Sequence, residues 1–266
     1  MRRLVPCASA LAALIWALAC LSGCASPGES KANADAPAAG TGRGAARGGA
    51  GGGGDGGGDT AARAPAPVVM ILGDSYTAGL PDVTPEETFA ADAARRLKWQ
   101  LIIAGHYGSG FVTPGRSRQT FAQLFSEQLA WRPAPDMVVV SGGHNDWPHS
   151  YDKVTTAARQ LLTAIKRRWP DSRLVLMGPL WGSDPPPKGL QVRDALQDVA
   201  AELRMPFIDP LAEQWITGDI RSGIGNAPAY IRGDGTHPNA AGNRYFADRF
   251  IADLRKLELT RPRLGS

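Results

Sequence analysis

Four short runs of consecutive apolar residues constrain the fold of this chain more than any other feature of its sequence. Strands without polar alternation are typical of parallel sheets, because helices cover both faces of such a sheet. Segments with helical periodicity separate the runs, which are 68-VVMIL-72, 101-LII-103, 137-MVVV-140 and 174-LVLM-177.

The helical patterns carry recognisable start and stop signals. The segment 84-TPEE-87 is a capping box, after which Phe89, Ala93 and Leu97 repeat on one face. Another helix follows from Val154 and ends before 169-WP-170. Further helical patterns are predicted over about 117–131, 190–203 and 246–254.

The order of these elements predicts the fold class. The segment 206-PFID-209 is a candidate for a short fifth strand between the last two helices. Regular alternation of strand and helix indicates a three-layer α/β/α domain with a mostly parallel five-stranded sheet. Because ligands bind such sheets at the carboxyl ends of the strands, catalytic residues are expected just after the apolar runs.

The first 23 residues have the pattern of a secretory signal. Arg2 and Arg3 precede an apolar stretch, and the segment 21-LSGC-24 resembles the lipobox of bacterial lipoprotein signals. That resemblance implies cleavage before Cys24, which then carries the lipid. An uncleaved membrane anchor is the alternative, since the apolar stretch approaches the lower length limit of a spanning helix. Either interpretation predicts a domain outside the cytoplasm, held at the cell membrane.

The mature chain would keep one thiol. Cys7 and Cys20 lie in the removed part, so Cys24 remains and no disulfide is expected. Residues 24–66 comprise this cysteine and a Gly-, Ala- and Pro-rich stretch without apolar patterning, which predicts a flexible linker. The remaining residues, 67–266, suit one domain with a full-sized core.

Charge excludes one class of partner. Removal of Arg2 and Arg3 would lower the formal net charge of the chain from +4 to +2. No cluster of Lys and Arg is interleaved with aromatic residues, so nucleic acid binding is not expected.

Three loops follow apolar runs and contain polar residues suited to catalysis. In 73-GDSYTAG-79, Ser75 is a candidate nucleophile, although Asp74 or Ser75 would equally serve as a helix cap. The loop 105-GHYGSGF-111 offers backbone N–H groups for close approach to a ligand, or is a flexible turn. In 141-SGGHNDWP-148, Asn145 either donates from its amide to an oxyanion or forms a local turn.

A fourth loop, 233-GDGTHPN-239, supplies the base that a serine nucleophile needs. Asp234 precedes His237 by three residues, so its carboxylate can hold one imidazole nitrogen while the other faces outward. Asn239 is a candidate cap for the last helix.

These four segments, taken in order, resemble the SGNH hydrolases, also called the GDSL esterase/lipase family. The resemblance covers about 68–254 and implies a flavodoxin-like sandwich. It also implies that Ser75 is the nucleophile, His237 the base and Asp234 its orienting partner. The oxyanion donors would be the backbone N–H groups of Ser75 and Gly108 and the side-chain amide of Asn145. One departure is Ile103, where the family's glycine block often opens with Asn, and the choice between Gly108 and Gly110 stays open.

The chemistry implied is hydrolysis of a small ester, a lipid or an acylated glycan through an acyl-enzyme, with no metal or organic cofactor. His106, His144 and His149 lack the spacing of a helical zinc pair. Aromatic residues after the apolar runs are candidates for an acyl pocket or for ordinary packing: Tyr107, Phe111, Trp147 and Trp181. A monomer is expected.

Two other functions remain open from the sequence. An O-acyltransferase or deacetylase acting on cell-envelope glycans would use the same triad, with a sugar hydroxyl competing with water. A non-catalytic binding lipoprotein on a hydrolase scaffold is the alternative from another class.

Overall fold

A computed structural model of the protein describes residues 65–263. The predicted signal, the predicted lipid-attachment cysteine and almost all of the predicted linker lie outside the described residues. Within 65–263, no helix is both long enough and apolar enough to cross a membrane.

Five parallel strands form the central sheet. They are β1 (Val68–Gly73), β2 (Gln100–Gly105), β3 (Met137–Ser141), β4 (Arg173–Met177) and β5 (Phe207–Ile208). Their order across the sheet is β2-β1-β3-β4-β5, and all four pairings are parallel. This is the flavodoxin-like order, in which the chain reverses its direction of winding between β1 and β3. The predicted fold class, including the fifth strand, is confirmed.

Helices cover both faces of the sheet. The described helices are α1 (Ser75–Ala78), α2 (Phe89–Leu97), α3 (Phe121–Leu124), α4 (Tyr151–Arg168), α5 (Pro187–Glu202), α6 (Ala227–Tyr230) and α7 (Ala240–Lys256). A small antiparallel hairpin joins β6 (Gly218–Asp219) to β7 (Ile224–Gly225).

Alternate residues of each strand enter two separate hydrophobic clusters. Met70 and Leu72 of β1 pack with α4 and α5 on one face, whereas Val69 and Ile71 pack with α2 and α7 on the other. Both clusters consist of described residues, which belong to one compact unit of the chain. Because both clusters lie within residues 60–266, this segment is expected to fold on its own.

Two predicted helices are shorter than their patterns suggested. The capping box at Thr84 is present, but it opens a 3-10 turn (Pro85–Glu87), and the extended backbone of Thr88 separates this turn from α2. Over 117–131, Arg118 has a φ of 60°, which ends helical geometry, so α3 begins only at Phe121. A π-helical turn (Phe125–Leu129) continues it.

Candidate active site

Three side chains from opposite ends of the domain's sequence meet beyond the carboxyl ends of the central strands. Ser75 Oγ lies 2.9 Å from His237 Nε2, although 162 residues separate the two in sequence. His237 Nδ1 lies 2.9 Å from Asp234 Oδ2. The structure therefore brings together all three residues that the sequence suggested as nucleophile, base and orienting acid.

The turn after β1 presents Ser75 to the histidine. Asp74 is the helix cap, because its Oδ1 accepts from Tyr76 N–H at 3.0 Å, and Ser75 is left as the first residue of α1. A side chain at Gly73 would lie 2.5 Å from Thr77 Oγ1, so only glycine allows this sharp turn between strand and helix.

The loop that carries His237 is organised by Asp234. Its Oδ1 accepts from the backbone N–H groups of Thr236 at 2.8 Å and His237 at 2.9 Å, while Oδ2 faces the imidazole. Partial burial raises the pKa of Asp234, but the hydrogen bonds from His237 and Thr236 outweigh it and hold the pKa below its ordinary value. Asp234 is thus a carboxylate at neutral pH. It accepts from Nδ1–H, and the lone pair of Nε2 is left to face Ser75.

Tyr76, which the sequence analysis did not single out, connects the serine helix to the histidine loop. Its hydroxyl donates to the carbonyl oxygen of Thr236 at 2.7 Å, and its ring centroid lies 5.5 Å from that of His237. The side chain is almost completely buried. A phenol directly after Ser75 was the available signal, but its acceptor belongs to a loop 160 residues away.

Hydrogen bonding in the loop after β2 distinguishes between Gly108 and Gly110, the two glycines that the sequence left as candidate oxyanion donors. Gly110 N–H donates to Thr113 O at 2.8 Å, so this group is already occupied. Within residues 65–263, Gly108 N–H has no hydrogen-bond acceptor, and neither has Ser75 N–H. Gly108 has a φ of 79°, a conformation that favours glycine.

Asn145 lies on a 3-10 turn (His144–Asp146) directly after β3. Its Nδ2 donates one hydrogen to Ser109 O at 2.9 Å, so the amide reaches across to the glycine loop instead of bonding within its own turn. This contact determines which of the two terminal atoms of the Asn145 amide is the nitrogen. A primary amide has two N–H donors, so the second stays available for a ligand.

Asp146 holds the glycine loop in place, a role that the sequence analysis missed. Its buried carboxylate accepts from the N–H groups of Phe111 at 2.8 Å and of Val112 and Thr113 at 2.9 Å each. Burial nevertheless raises the pKa of Asp146 above its ordinary value, against the effect of these bonds. A Cβ on Gly110 would lie 2.4 Å from Asp146 Oδ2, so the loop can approach this closely only with glycine at that position.

A row of rings continues from Tyr76 away from the triad. The centroid of His144 lies 5.6 Å from that of Tyr76 and 4.2 Å from that of Trp181. The pKa of His144 is lowered to about 4. Burial is the main cause and the neighbouring His237 adds to it, whereas a hydrogen bond with Leu180 O acts in the opposite direction. His144 is therefore neutral at physiological pH and places no positive charge beside His237.

The four candidate aromatic residues of the pocket occupy different environments. Phe111 is 4% exposed and packs against Phe121 in the core. Tyr107 stacks on His106 in the glycine loop. Trp147 is 44% exposed, and Lys188 Nζ lies 5.7 Å from its ring. Of the four, Trp181 is the one whose ring lies against His144, and Trp147 is the one that is exposed.

Sequence comparison with known proteins finds matches that cover most of the chain. The GDSL-like lipase/acylhydrolase family profile matches residues 71–245. A GDSL lipase of Mycobacterium tuberculosis is 30% identical over 205 residues, which make up 72% of this chain and 82% of that protein.

Two solved structures share the fold at low sequence identity. A family two carbohydrate esterase from Clostridium thermocellum in complex with cellohexaose has a TM-score of 0.55 at 20% identity, over 73% of this chain and 66% of its own. A salicylyl-acyltransferase from a tetracycline biosynthetic pathway has a TM-score of 0.55 at 20% identity, over 76% of this chain and 58% of its own. These likenesses concern the fold alone. The profile match and the mycobacterial relative show that this chain belongs to the GDSL-like lipase/acylhydrolase (SGNH) family of hydrolases.

Proposed function

We propose that this protein is an exported, lipid-anchored serine hydrolase that cleaves carboxylic esters through a covalent acyl-enzyme. One observation carries the proposal: the unbroken hydrogen-bonded series from Ser75 Oγ through the His237 ring to Asp234, with 2.9 Å at each step. The spacing is that of a nucleophile with its base and the group that orients the base.

The reaction would begin with attack of Ser75 Oγ on the ester carbonyl. His237 Nε2 takes the serine proton and passes it to the departing alcohol, which leaves Ser75 acylated. Water then attacks the acyl-enzyme, and His237 takes the proton of the water and returns it to Ser75 Oγ as the acid is released. Throughout, Asp234 stabilises the positive charge on the imidazole and holds its orientation.

The negative charge on the carbonyl oxygen needs donors that are not already bonded. Ser75 N–H, Gly108 N–H and the second Asn145 N–H meet this requirement within the described residues, because no protein acceptor occupies them. Loss of one such donor in a serine hydrolase costs about 3 kcal/mol of transition-state stabilisation.

The test uses residues 60–266 with a short-chain chromogenic ester such as 4-nitrophenyl acetate. Ser75→Ala should lower kcat by at least about 10³-fold, since the nucleophile is lost. Ser150→Ala is the matched control, because Ser150 precedes α4 and makes no capping bond with its side chain. A fluorophosphonate probe should label the wild type and the control but not Ser75→Ala. Equal hydrolysis by Ser75→Ala would sink the proposal, and so would the absence of any ester hydrolysis.

Acyl transfer to or from envelope glycans is the second candidate. An exposed indole two residues beyond Asn145 favours it, because Trp147 offers an apolar face against which a sugar ring can stack. A carbohydrate esterase and an acyltransferase share this fold, so the fold accommodates both kinds of reaction. Trp147→Ala should then raise KM for an acetylated oligosaccharide and leave hydrolysis of 4-nitrophenyl acetate unchanged. Equal loss on both substrates would argue against a sugar platform.

The non-catalytic alternative has the least support. All three triad side chains are present and in contact, and a binding protein would have no need for a preserved nucleophile beside its base.

A further inference from the structure

A cationic groove lies at the end of the sheet opposite the triad. It has a volume of about 700 Å³ and adjoins the start of β4 and the segment before β5, where the strands begin. Among its described lining residues, Glu258 is the one carboxylate. The cations that line it are Lys166, Arg173, Arg204, Arg261 and Arg263.

Three of the five cations that line this groove are exposed arginines. Arg204, Arg261 and Arg263 are exposed, and within residues 65–263 none of the three forms an ion pair. Elsewhere on the domain some arginines are paired, as Arg96 is with Asp248 and Arg159 with Glu202.

Interaction with helix C-termini accounts for only some of the cations that line the groove. Lys166 lies in the last turn of α4 and Arg204 just after α5, where cations balance the partial negative charge of the helix terminus. Arg261 and Arg263 lie beyond the end of α7 at Lys256, and the dipole effect fades within the last turn.

The floor of the same groove is apolar. Leu174, Met205 and Leu259 line it, together with the exposed Leu257. Long cationic side chains around an apolar floor match a membrane interface, where guanidinium groups meet phosphates and apolar groups meet the glycerol and upper acyl region. A free anion would not need the apolar floor.

The chain also enters the domain on this side. Pro65, Ala66 and Pro67 line a neighbouring cavity together with Lys98, Arg261 and Arg263. The segment that leads back towards Cys24 therefore leaves the domain beside the cationic groove. The position of this segment bears on docking only through the proposed lipid anchor at Cys24. The charge and shape of the groove do not depend on that anchor.

We propose that the cationic groove binds the surface of a bilayer rich in anionic phospholipids and fixes the orientation of the tethered domain. Ser75 and its partners follow the carboxyl ends of the strands, about 20 Å away for strands of this length. The docked domain consequently presents its active site away from the bilayer, towards esters in the surrounding water or envelope polymer and not towards the lipids beneath it.

Vesicle co-sedimentation of residues 60–266, which lack Cys24, tests this docking without any lipid anchor. The domain should sediment with vesicles of one part phosphatidylglycerol to three parts phosphatidylcholine and should stay in solution with phosphatidylcholine alone. Added salt should weaken the binding, because the attraction is electrostatic. Ser75→Ala should bind as the wild type does, so the result does not depend on catalysis.

Charge reversal provides the matched comparison. The triple variant R204E/R261E/R263E should bind anionic vesicles at least tenfold more weakly. K153E/R221E/R244E changes the net charge equally at exposed positions outside the groove and should bind nearly as the wild type does. Both should hydrolyse 4-nitrophenyl acetate at the wild-type rate, which shows that they fold. Equal binding by the two triple variants would overturn the proposal.

Two further outcomes would also count against it. Poly-glutamate that binds the groove as tightly as the vesicles do would assign the surface to an acidic polypeptide instead. Hydrolysis of a water-soluble ester should continue at the same rate on the vesicle-bound domain, and a marked fall would contradict the outward orientation of the site.

Discussion

Asp74 has the most unusual environment of any single residue at the site. It is fully buried beneath Ser75, and its Oδ2 has no hydrogen-bond partner within residues 65–263. Burial raises the pKa of Asp74 from 3.8 to about 7, with a smaller contribution from Asp146, while the bond from Tyr76 N–H acts in the opposite direction. The folded protein therefore holds a proton here that the unfolded chain releases above about pH 4.

This proton makes stability depend on pH. The contribution of Asp74 to the free energy of unfolding is fully present below about pH 4 and is lost as pH rises to about 7, because the charged form is disfavoured in the fold. Asp74→Asn cannot ionise and keeps the Oδ1 acceptor. From pH 4 to 8, denaturant titrations should show the wild type losing up to about 4 kcal/mol relative to Asp74→Asn. Parallel pH curves for the two proteins would contradict the buried proton.

Tyr76 is expected to position the base without touching the substrate. Tyr76→Phe leaves Thr236 O without its donor and loosens the loop of His237, so kcat should fall about tenfold with little change in KM. Tyr151→Phe is the control, since it removes a hydroxyl bonded to Asp198 on the exposed surface. If kcat is the same in both variants, the Tyr76 hydroxyl plays no part in positioning the base.

At the scale of elements, the loops after β2 and β3 behave as one unit. Asn145 Nδ2 bonds to Ser109 O, and Asp146 accepts three backbone N–H groups of the glycine loop. The two oxyanion candidates from these loops, Gly108 and Asn145, are therefore held by shared contacts. A disturbance of the contact between the loops should affect both donors together.

Gly110→Ala tests this coupling. Its Cβ would lie 2.4 Å from Asp146 Oδ2, so the loop must shift, and both stability and kcat should fall, the former by about 2 kcal/mol. Gly233→Ala is the matched control in the histidine loop, because its Cβ would meet nothing within 4 Å. Thermal unfolding and kcat of both variants give the measurement. A Gly110→Ala protein as stable and active as Gly233→Ala would contradict the coupling.

The same scale shows where sequence patterns reach their limit. Strands β1 to β4 were predictable because each is apolar on both faces, and the end of α4 was predictable from 169-WP-170. The start of α3 was not. The pattern over 117–131 favours helix throughout, but Arg118 adopts a φ of 60° and Gln119 N–H bonds to Pro114 O, contacts that local periodicity does not encode. The α6 segment and the β6–β7 hairpin are too short to produce a periodic signal.

At the scale of the whole molecule, the anchor remains a prediction. If 21-LSGC-24 directs lipidation, a high-salt wash should release Cys24→Ser from the membrane fraction of the producing cell and leave the wild type bound, because salt weakens electrostatic docking and only the wild type carries acyl chains. Mass spectrometry of the N-terminal peptide should find Cys24 acylated in the wild type. An unmodified Cys24 after an intact signal would instead support the uncleaved membrane anchor.

Local patterns in the chain were enough to predict the fold class and to name the residues of the candidate site. Apolar runs predict buried parallel strands, and the family's four blocks identify Ser75, Gly108 or Gly110, Asn145, Asp234 and His237. The choice of Gly108 over Gly110 needed the folded loop, in which Gly110 N–H donates to Thr113 O, and so did the supporting contacts of Tyr76 and Asp146. The physical reason is the range of the interactions. Burial and capping act over a few residues and leave a periodic trace. The bonds of Tyr76 and Asp146 instead join loops that are distant in sequence, and the bond of Gly110 belongs to a loop that Asp146 holds in place.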